Sequence, residues 1–177
     1  MPVAIKAEID IRPVLQLVNG LSQAAVSNAW RRALRKTGDW IKTHVARSLS
    51  SEIKVPQKVL KQRLYFFLRS AKEGKVWLGI NAIEAARLGK ARQTRRGVTV
   101  GRHRFDGAWL YRSKRGSQND GGVFRRVGRA RTPYEQVRFE WDEAGERAFR
   151  AVAARAQARL FEILEQELRW EVSKLTK

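Results

Sequence analysis

Between Trp30 and Leu49, apolar side chains return every three or four residues. Trp30, Leu34, Thr37, Ile41, Val45 and Leu49 make one stripe, the spacing of a helix with one buried side. Arg31, Arg32, Arg35, Lys36, Lys42 and Arg47 fall mostly off it. The period predicts a long helix from about Leu21 to Leu49, ended by Ser50-Ser51. Gly38 costs about 1 kcal/mol relative to Ala inside a helix, so it is expected to mark a close crossing or a bend. A second stripe runs through Phe149, Val152, Ala156, Leu160, Ile163, Leu164 and Leu168. It predicts a terminal helix from about Asp142 to Leu175. Asp142 is the expected N-cap, and Glu143 and Glu146 suit the positive end of the helix dipole. The alanine-rich AVAARAQA is expected to let a neighbouring backbone approach closely.

Elsewhere the period is two or absent. Val3, Ile5, Ala7, Ile9 and Ile11 alternate, which reads as a strand, and Pro13 suits a short helical piece before Asn19-Gly20. Pro56 opens a short helix to about residue 63. LYFFLR (64–69) and VWLGI (76–80) read as a hairpin around Gly74, and Ala82–Leu88 as one helical turn. Residues 89–101, GKARQTRRGVTVG, read as an exposed loop with a brief strand at Val98–Val100. Further strands are expected at Phe105–Tyr111, Val123–Val127 and Gln136–Trp141, with a polar loop at 113–122. The fold class is therefore α+β: a long N-terminal helix, a mainly antiparallel β-sheet, and a long C-terminal helix. The chain reads as one domain over 1–177, with basic exposed loops at about 84–101 and 112–122.

Charge constrains the partner. The formal net charge is +20, and self-repulsion of that size opposes an isolated compact state. DNA, RNA or an acidic membrane surface would relieve it. Residues 85–131 hold fourteen Lys/Arg against two Asp/Glu, whereas residues 132–177 hold eight against nine. The excess is concentrated in the middle of the chain. There is no cysteine, which excludes disulfides and thiolate metal sites. No apolar run approaches ~18 residues, so no membrane span is expected. With no apolar signal core at the N-terminus, a soluble cytoplasmic product is expected.

Catalytic patterns are sparse. Neither a Walker, GxSxG, HExxH nor dinucleotide motif occurs. His44 reads as a packed helical side chain. His103 has Asp106 three residues on, a spacing common by chance. A metal nuclease would need several converging carboxylates, and the basic region offers only Asp106 and Asp120. No catalytic residue, metal or cofactor is assigned. Nucleic-acid contact fits better. The candidates are Arg92, Arg95, Arg96, Arg102, Arg104, Arg112, Lys114, Arg115, Arg125, Arg126, Arg129 and Arg131, on predicted loops and strand ends. Arginine keeps its charge and grips phosphate through a planar fork, so such a surface binds backbone without reading sequence. Trp30 and Trp40 read as helical, and Trp77, Trp109 and Trp141 as strand residues. These aromatics read as core or subunit contacts before base-stacking ones. In GRHRFDGAW (101–109), Gly101 and Gly107 suit turns or close backbone approach, Phe105 and Trp109 suit packing, and Arg102 and Arg104 are expected to reach outward.

The order of several short motifs carries a resemblance. AWRRALRKTGDWIKTHVARSLSSEIKVPQKVLKQRL (29–64) contains Ala33-Leu34-Arg35-Lys36-Thr37 and then Val55-Pro56-Gln57-Lys58-Val59-Leu60. VWLGINAI (76–83), a glycine- and arginine-rich segment, FDGAW (105–109) and GGVFRR (121–126) follow. Over about residues 3–165 this resembles the minor tail protein Z family of long-tailed bacteriophages. The resemblance implies a structural, non-enzymatic protein that completes the tail at its head-proximal end and helps to position or pass DNA. It implies a ring, expected to be hexameric, that contacts the tail tube, tail terminator and tape measure proteins. The expected location is the virion tail, assembled in the host cytoplasm. Nonspecific phosphate contact suits DNA that must slide. The alternative is a free, sequence-nonspecific nucleic-acid-binding protein of nucleoid or RNA-binding type. A divergent nuclease would depend on Asp106.

Overall fold

The computed structural model describes residues 3–4, 21–112 and 120–175. The predicted strand over 3–11 therefore lies outside the described residues except for β1 (Val3–Ala4), and so does the helical piece expected after Pro13. Helix α1 (Gln23–Ile53) is followed by α2 (Gln57–Lys61), β2 (Leu64–Leu68), β3 (Gly74–Leu78), β4 (Ile83–Glu84) and a 3-10 turn at Ala85–Leu88. Then come β5 (Ala91–Thr94), β6 (Gly97–Val100), β7 (His103–Asp106), β8 (Ala108–Leu110), β9 (Val123–Arg126), β10 (Tyr134–Gln136) and β11 (Arg138–Phe139). Helices α3 (Asp142–Ala153) and α4 (Ala156–Leu175) complete the chain. The class is α+β, with all strand pairs antiparallel, in four small sheets: β1-β3-β2, β5-β6-β7, β10-β9-β8 and β11-β4.

Every residue of the α1 stripe, from Trp30 to Leu49, is buried. Ser22 caps its start by accepting from the Ala25 amide at 3.2 Å. The helix runs past Ser50-Ser51, because Ile53 continues the apolar spacing. It stops at Lys54, which takes a left-handed conformation (φ 55°) just before Val55-Pro56. A residue preceding proline is pushed out of the helical region, so the stop belongs to Pro56 rather than to the serines.

The core has two clusters strung along α1. Its C-terminal half, through Ile41, Val45 and Leu49, packs with the sheets and with Ala148, Phe149 and Val152 of α3. Its N-terminal half, through Ala29, Trp30, Ala33 and Leu34, packs with Leu160, Ile163, Leu164 and Leu168 of α4. Phe66 of β2 touches both. The single terminal helix expected over Asp142–Leu175 is instead broken at Ala154–Arg155. Alanine has the highest helix propensity, so local chemistry does not make the break. The two apolar faces serve different clusters, and the break lets each meet its own. The alanine-rich stretch thus marks a joint. Beside it lies a cavity of about 390 Å³, lined by Gly38, Phe66, Val76, Ala153, Gln157 and Leu160 among others. Gly38 marks a close crossing: a Cβ there would lie 2.4 Å from the Phe66 ring.

Three other boundaries differ from expectation. Trp141, not Asp142, is the N-cap of α3, and no side chain caps that end. Nor is Trp141 in a strand. Its buried indole donates to the Asn81 carbonyl at 3.0 Å, tying the start of α3 to the sheet region. The strand expected over Gln136–Trp141 is split into β10 and β11 at buried Val137, whose amide and carbonyl bond Val123 and Ala85.

Candidate nucleic-acid interface

The segment 84–101, expected as a loop, is mostly ordered structure. After the 3-10 turn, β5, β6 and β7 form a three-stranded meander, with Arg92 opposite Thr99 and Thr99 opposite Arg104. The cause is alternation too short to stand out in sequence: Val98 and Val100 point into the core and are fully buried. Ala91 and Phe105 pack beside them. The other face therefore presents Arg92 and Arg104, both exposed, two strand spacings apart, or about 10 Å.

Turns extend this face at both ends. Arg95 and Arg96 form the β5–β6 turn, and Arg102 the β6–β7 turn, where the Gly101 amide meets the Lys90 carbonyl. Lys90, Arg92, Arg95, Arg96, Arg102 and Arg104 are all exposed and make a basic stripe about 20 Å long at strand spacing. Gly101 (φ 58°) and Gly107 (φ 70°) take the left-handed turn conformations expected of them, which favour glycine. Gly107 divides the predicted strand Phe105–Tyr111 into β7 and β8. Gln93 joins this meander to the next sheet: its Oε1 accepts from the Leu110 amide at 2.8 Å and its Nε2 donates to the Gly97 carbonyl at 3.0 Å.

The remaining candidates lie on or beside the β8–β9–β10 sheet. Arg125 and Arg126 are on β9, and Arg129 and Arg131 on the loop leading to β10. That loop is closed by the Val127 amide donating to the Pro133 carbonyl at 3.1 Å. Arg112 is exposed just beyond β8. Lys114 and Arg115 lie outside the described residues, as does most of the loop expected at 112–122.

Few of these charges are neutralised. Arg104 donates to Asp106 at 2.7 Å, and Arg125 to Glu135 at 3.1 Å. Both pairs are solvent-exposed and contribute about 1 kcal/mol or less. Among the described residues, Arg92, Arg95, Arg96, Arg102, Arg126, Arg129 and Arg131 form no ion pair. An unpaired guanidinium fork is free to meet phosphate, at an ordering cost of about 0.5–1.5 kcal/mol per side chain.

The acids are spent elsewhere. Glu167 is buried to 5 % exposure, a feature the sequence reading missed. It accepts from Arg32 at 2.6 Å and pairs with Lys36 at 2.5 Å. Glu171 accepts from the same Arg32 at 2.5 Å and from Lys174 at 3.1 Å. Burial pushes both carboxyls up, but the hydrogen bonds from Arg32, Lys36 and Lys174 outweigh it and hold them below their ordinary values. Burial likewise disfavours the Arg32 charge, yet the two glutamates hold its pKa above the ordinary value. A sign was available in the sequence: Glu167 and Glu171 are four residues apart, on the face adjoining Leu164 and Leu168.

The His103/Asp106 pair is not assembled. Asp106 bonds Arg104, while the His103 ring packs against Phe139 at 4.5 Å. His44 packs on Trp40 at 4.4 Å, and burial, followed by Arg47, Arg155 and Arg159, lowers its pKa. Among the described residues there is no group of three or more His, Cys, Asp or Glu that could hold a metal. No described helix is long and apolar enough to cross a membrane. The 390 Å³ cavity has no titratable lining.

Exposed apolar side chains occur on β2, on the β8–β10 sheet, and at Trp170, Val172 and Leu175 near the end of α4. On β2, Tyr65 and Phe67 are exposed and stack with each other, and Tyr65 also meets Trp77 across the strand pair. On β8–β10, Trp109, Tyr111 and Tyr134 surround Phe124. Comparison with family models, with curated proteins and with solved structures gave no match to this chain.

Proposed function

We propose that this chain is a structural DNA-contacting subunit of a long-tailed phage tail, of the tail-completion type. In this reading it sits at the head-proximal end, joins the tail, and helps to position or pass DNA. The supporting observation is the basic stripe on the outer face of β5–β7, in which only Arg104 has a carboxylate partner among the described residues. Its arginines lie on strands and turns, and none is presented by a helix shaped to enter a groove. Such a surface gains affinity from counterion release and is indifferent to sequence, which suits DNA that slides. The tail assignment itself rests on the order of the sequence motifs from Ala29 to Arg126.

In the same reading, copies assemble in a ring, expected to be hexameric, between the tail tube, tail terminator and tape measure proteins. The exposed Tyr65 and Phe67 on β2, an edge strand of its sheet among the described residues, support self-association, since sheet edges and aromatic patches invite a partner. Repetition of a +20 subunit around a channel is tolerable when a polyanion fills it. The experiment is subunit-resolved imaging of assembled tails, joined to a salt titration of DNA binding by the purified chain. Absence from finished tails refutes the assembly role. A second reading, a free nonspecific nucleic-acid binder, is favoured by the basic aromatic surface on β8–β10. It predicts tight salt-sensitive binding by a protein that never enters a particle.

A further inference from the structure

One face of the β8–β9–β10 sheet is partly in the core, with its Arg125 and Glu135 half-exposed, and the other faces solvent. Ala108 and Val123 point inward and are buried. On the other face Trp109 is opposite Phe124, and Arg126 is opposite Tyr134. Phe124 is 8 % exposed and forms the floor. The Tyr134 ring stands at 89° to it, with centroids 5.7 Å apart, and Trp109 meets Tyr134 at 5.8 Å. Edge-to-face packing of this kind fixes the rings before anything binds. Yet Tyr134 remains 57 % exposed. A large ring held rigid and left in water is available for contact.

Next to it is a cavity of about 320 Å³, lined by Trp109, Arg126, Arg131, Thr132 and Tyr134. The lining contains two guanidinium groups, an indole, a phenol and a hydroxyl, and no carboxylate. Arg126 and Arg131 have no ion-pair partner among the described residues, whereas neighbouring Arg125 is held by Glu135 on the opposite face. A volume near the lower end of ligand-site sizes fits one small group rather than a duplex. The complementary group is planar, aromatic and attached to an anion.

We propose that this cavity binds one unstacked base of a single-stranded nucleic acid, with the ring on Trp109 and Tyr134 and the adjoining phosphates on Arg126 and Arg131. The proposal deepens the phosphate-binding reading and relies on it for the flanking backbone. Bases inside a duplex are stacked on each other and cannot offer a face. The cavity therefore selects single strands, while the β5–β7 stripe accepts either form. Discrimination among bases is weak, because stacking on aromatic rings is tolerant of base identity.

The test is fluorescence anisotropy of the full chain with an oligothymidylate of about 15 nucleotides, an oligouridylate of the same length, and a duplex of the same length. The wild type is expected to bind the single strands about tenfold more tightly than the duplex at equal salt. Tyr134→Leu should lose about 5- to 150-fold on the single strands, the range for one stacked base, and stay within about twofold on the duplex. Tyr134→Phe, which keeps the ring, should recover most of that loss. The oligothymidylate and oligouridylate arms say whether the strand is DNA or RNA. Equal affinity for single strand and duplex, or a Tyr134→Leu variant that loses neither or both equally, overturns the proposal. So does a Tyr134→Leu variant that changes only the sedimentation of the protein, which would make the face a subunit contact. Failure of duplex binding with single-strand binding intact would instead refute the stripe and leave the cavity standing.

Discussion

Arg32 and Arg92 are the same residue put to opposite uses. Arg32, on α1, is two-thirds covered and donates to Glu167 and Glu171 of α4. Its guanidinium also lies 4.5 Å from the Trp170 ring. Arg92, on β5, is exposed and, among the described residues, without a carboxylate partner. The contact between α1 and α4 neutralises its own charges and uses them to fix how the two helices meet, although Arg31, Arg35 and Arg47 of α1 make no ion pair among the described residues. The sheet layer leaves its charges unspent. More than half of the net charge of +20 comes from residues 85–131. Fourteen Lys/Arg against two Asp/Glu lie in that segment, whose described residues form short strands and the turns between them. The difference teaches that cation count alone says little about function; the placement of the carboxylates decides which cations are free.

The comparison can be broken from either side. The largest expected effect is on DNA affinity. Replacing Arg92, Arg95 and Arg96 by Gln together should cost about a hundredfold near 0.1 M salt and lower the log–log salt slope by about 3. Thermal unfolding should barely move, because these side chains hold nothing together. Loss of stability instead would show that the stripe is structural.

Next comes the helical network. Glu167→Gln leaves Arg32 and Lys36 without their shared carboxylate. Breaking a buried pair costs about 3–5 kcal/mol, but Arg32 and Lys36 are partly solvated, so about 2 kcal/mol is expected by urea denaturation. DNA affinity should stay within about twofold. The same carboxyls set an acid limit. Glu167 and Glu171 have folded pKa values below their unfolded ones. Their stabilisation is thus fully present above the ordinary carboxylate range near about 4.3 and is lost as pH falls through the folded values. Unfolding followed against pH should show a steeper acid loss in the wild type than in Glu167→Gln.

Gly38→Ala tests the joint between the clusters. The new methyl would meet the Phe66 ring at 2.4 Å. Overpacking of about 1–3 kcal/mol opposes a helix-propensity gain of about 1 kcal/mol, so a net loss of about 1 kcal/mol is expected. A gain in melting temperature would mean that Phe66 moves aside freely. The smallest effect belongs to Asp106→Asn. It removes the exposed partner of Arg104, with a stability change under about 0.5 kcal/mol. DNA affinity should rise severalfold, as one more guanidinium is released toward phosphate.

The two helical stripes were legible because a 3.6-residue period over five turns leaves few alternatives, and their residues are buried as read apart from half-buried Ala156. The β2–β3 hairpin was legible from its apolar runs around Gly74, and the basic residues of the middle region were visible by count. The meander from Ala91 to Asp106 was not. Its inward apolar positions are Ala91, Val98, Val100 and Phe105, interrupted by polar Gln93 and His103 on the same face and by arginine, too few to stand above a loop. The break after Ala153 ran against local propensity, since two separate clusters had to be satisfied at once. Nor could one dimension pair Arg32 with Glu167, 135 residues away, or bring Tyr134 beside Trp109 and Arg126. By itself the sequence determined the class of fold and the excess of cations, because both are sums over local pattern. Tertiary structure alone decided which cations stay free and which aromatics flank them, because pairing depends on distances between residues far apart in the chain.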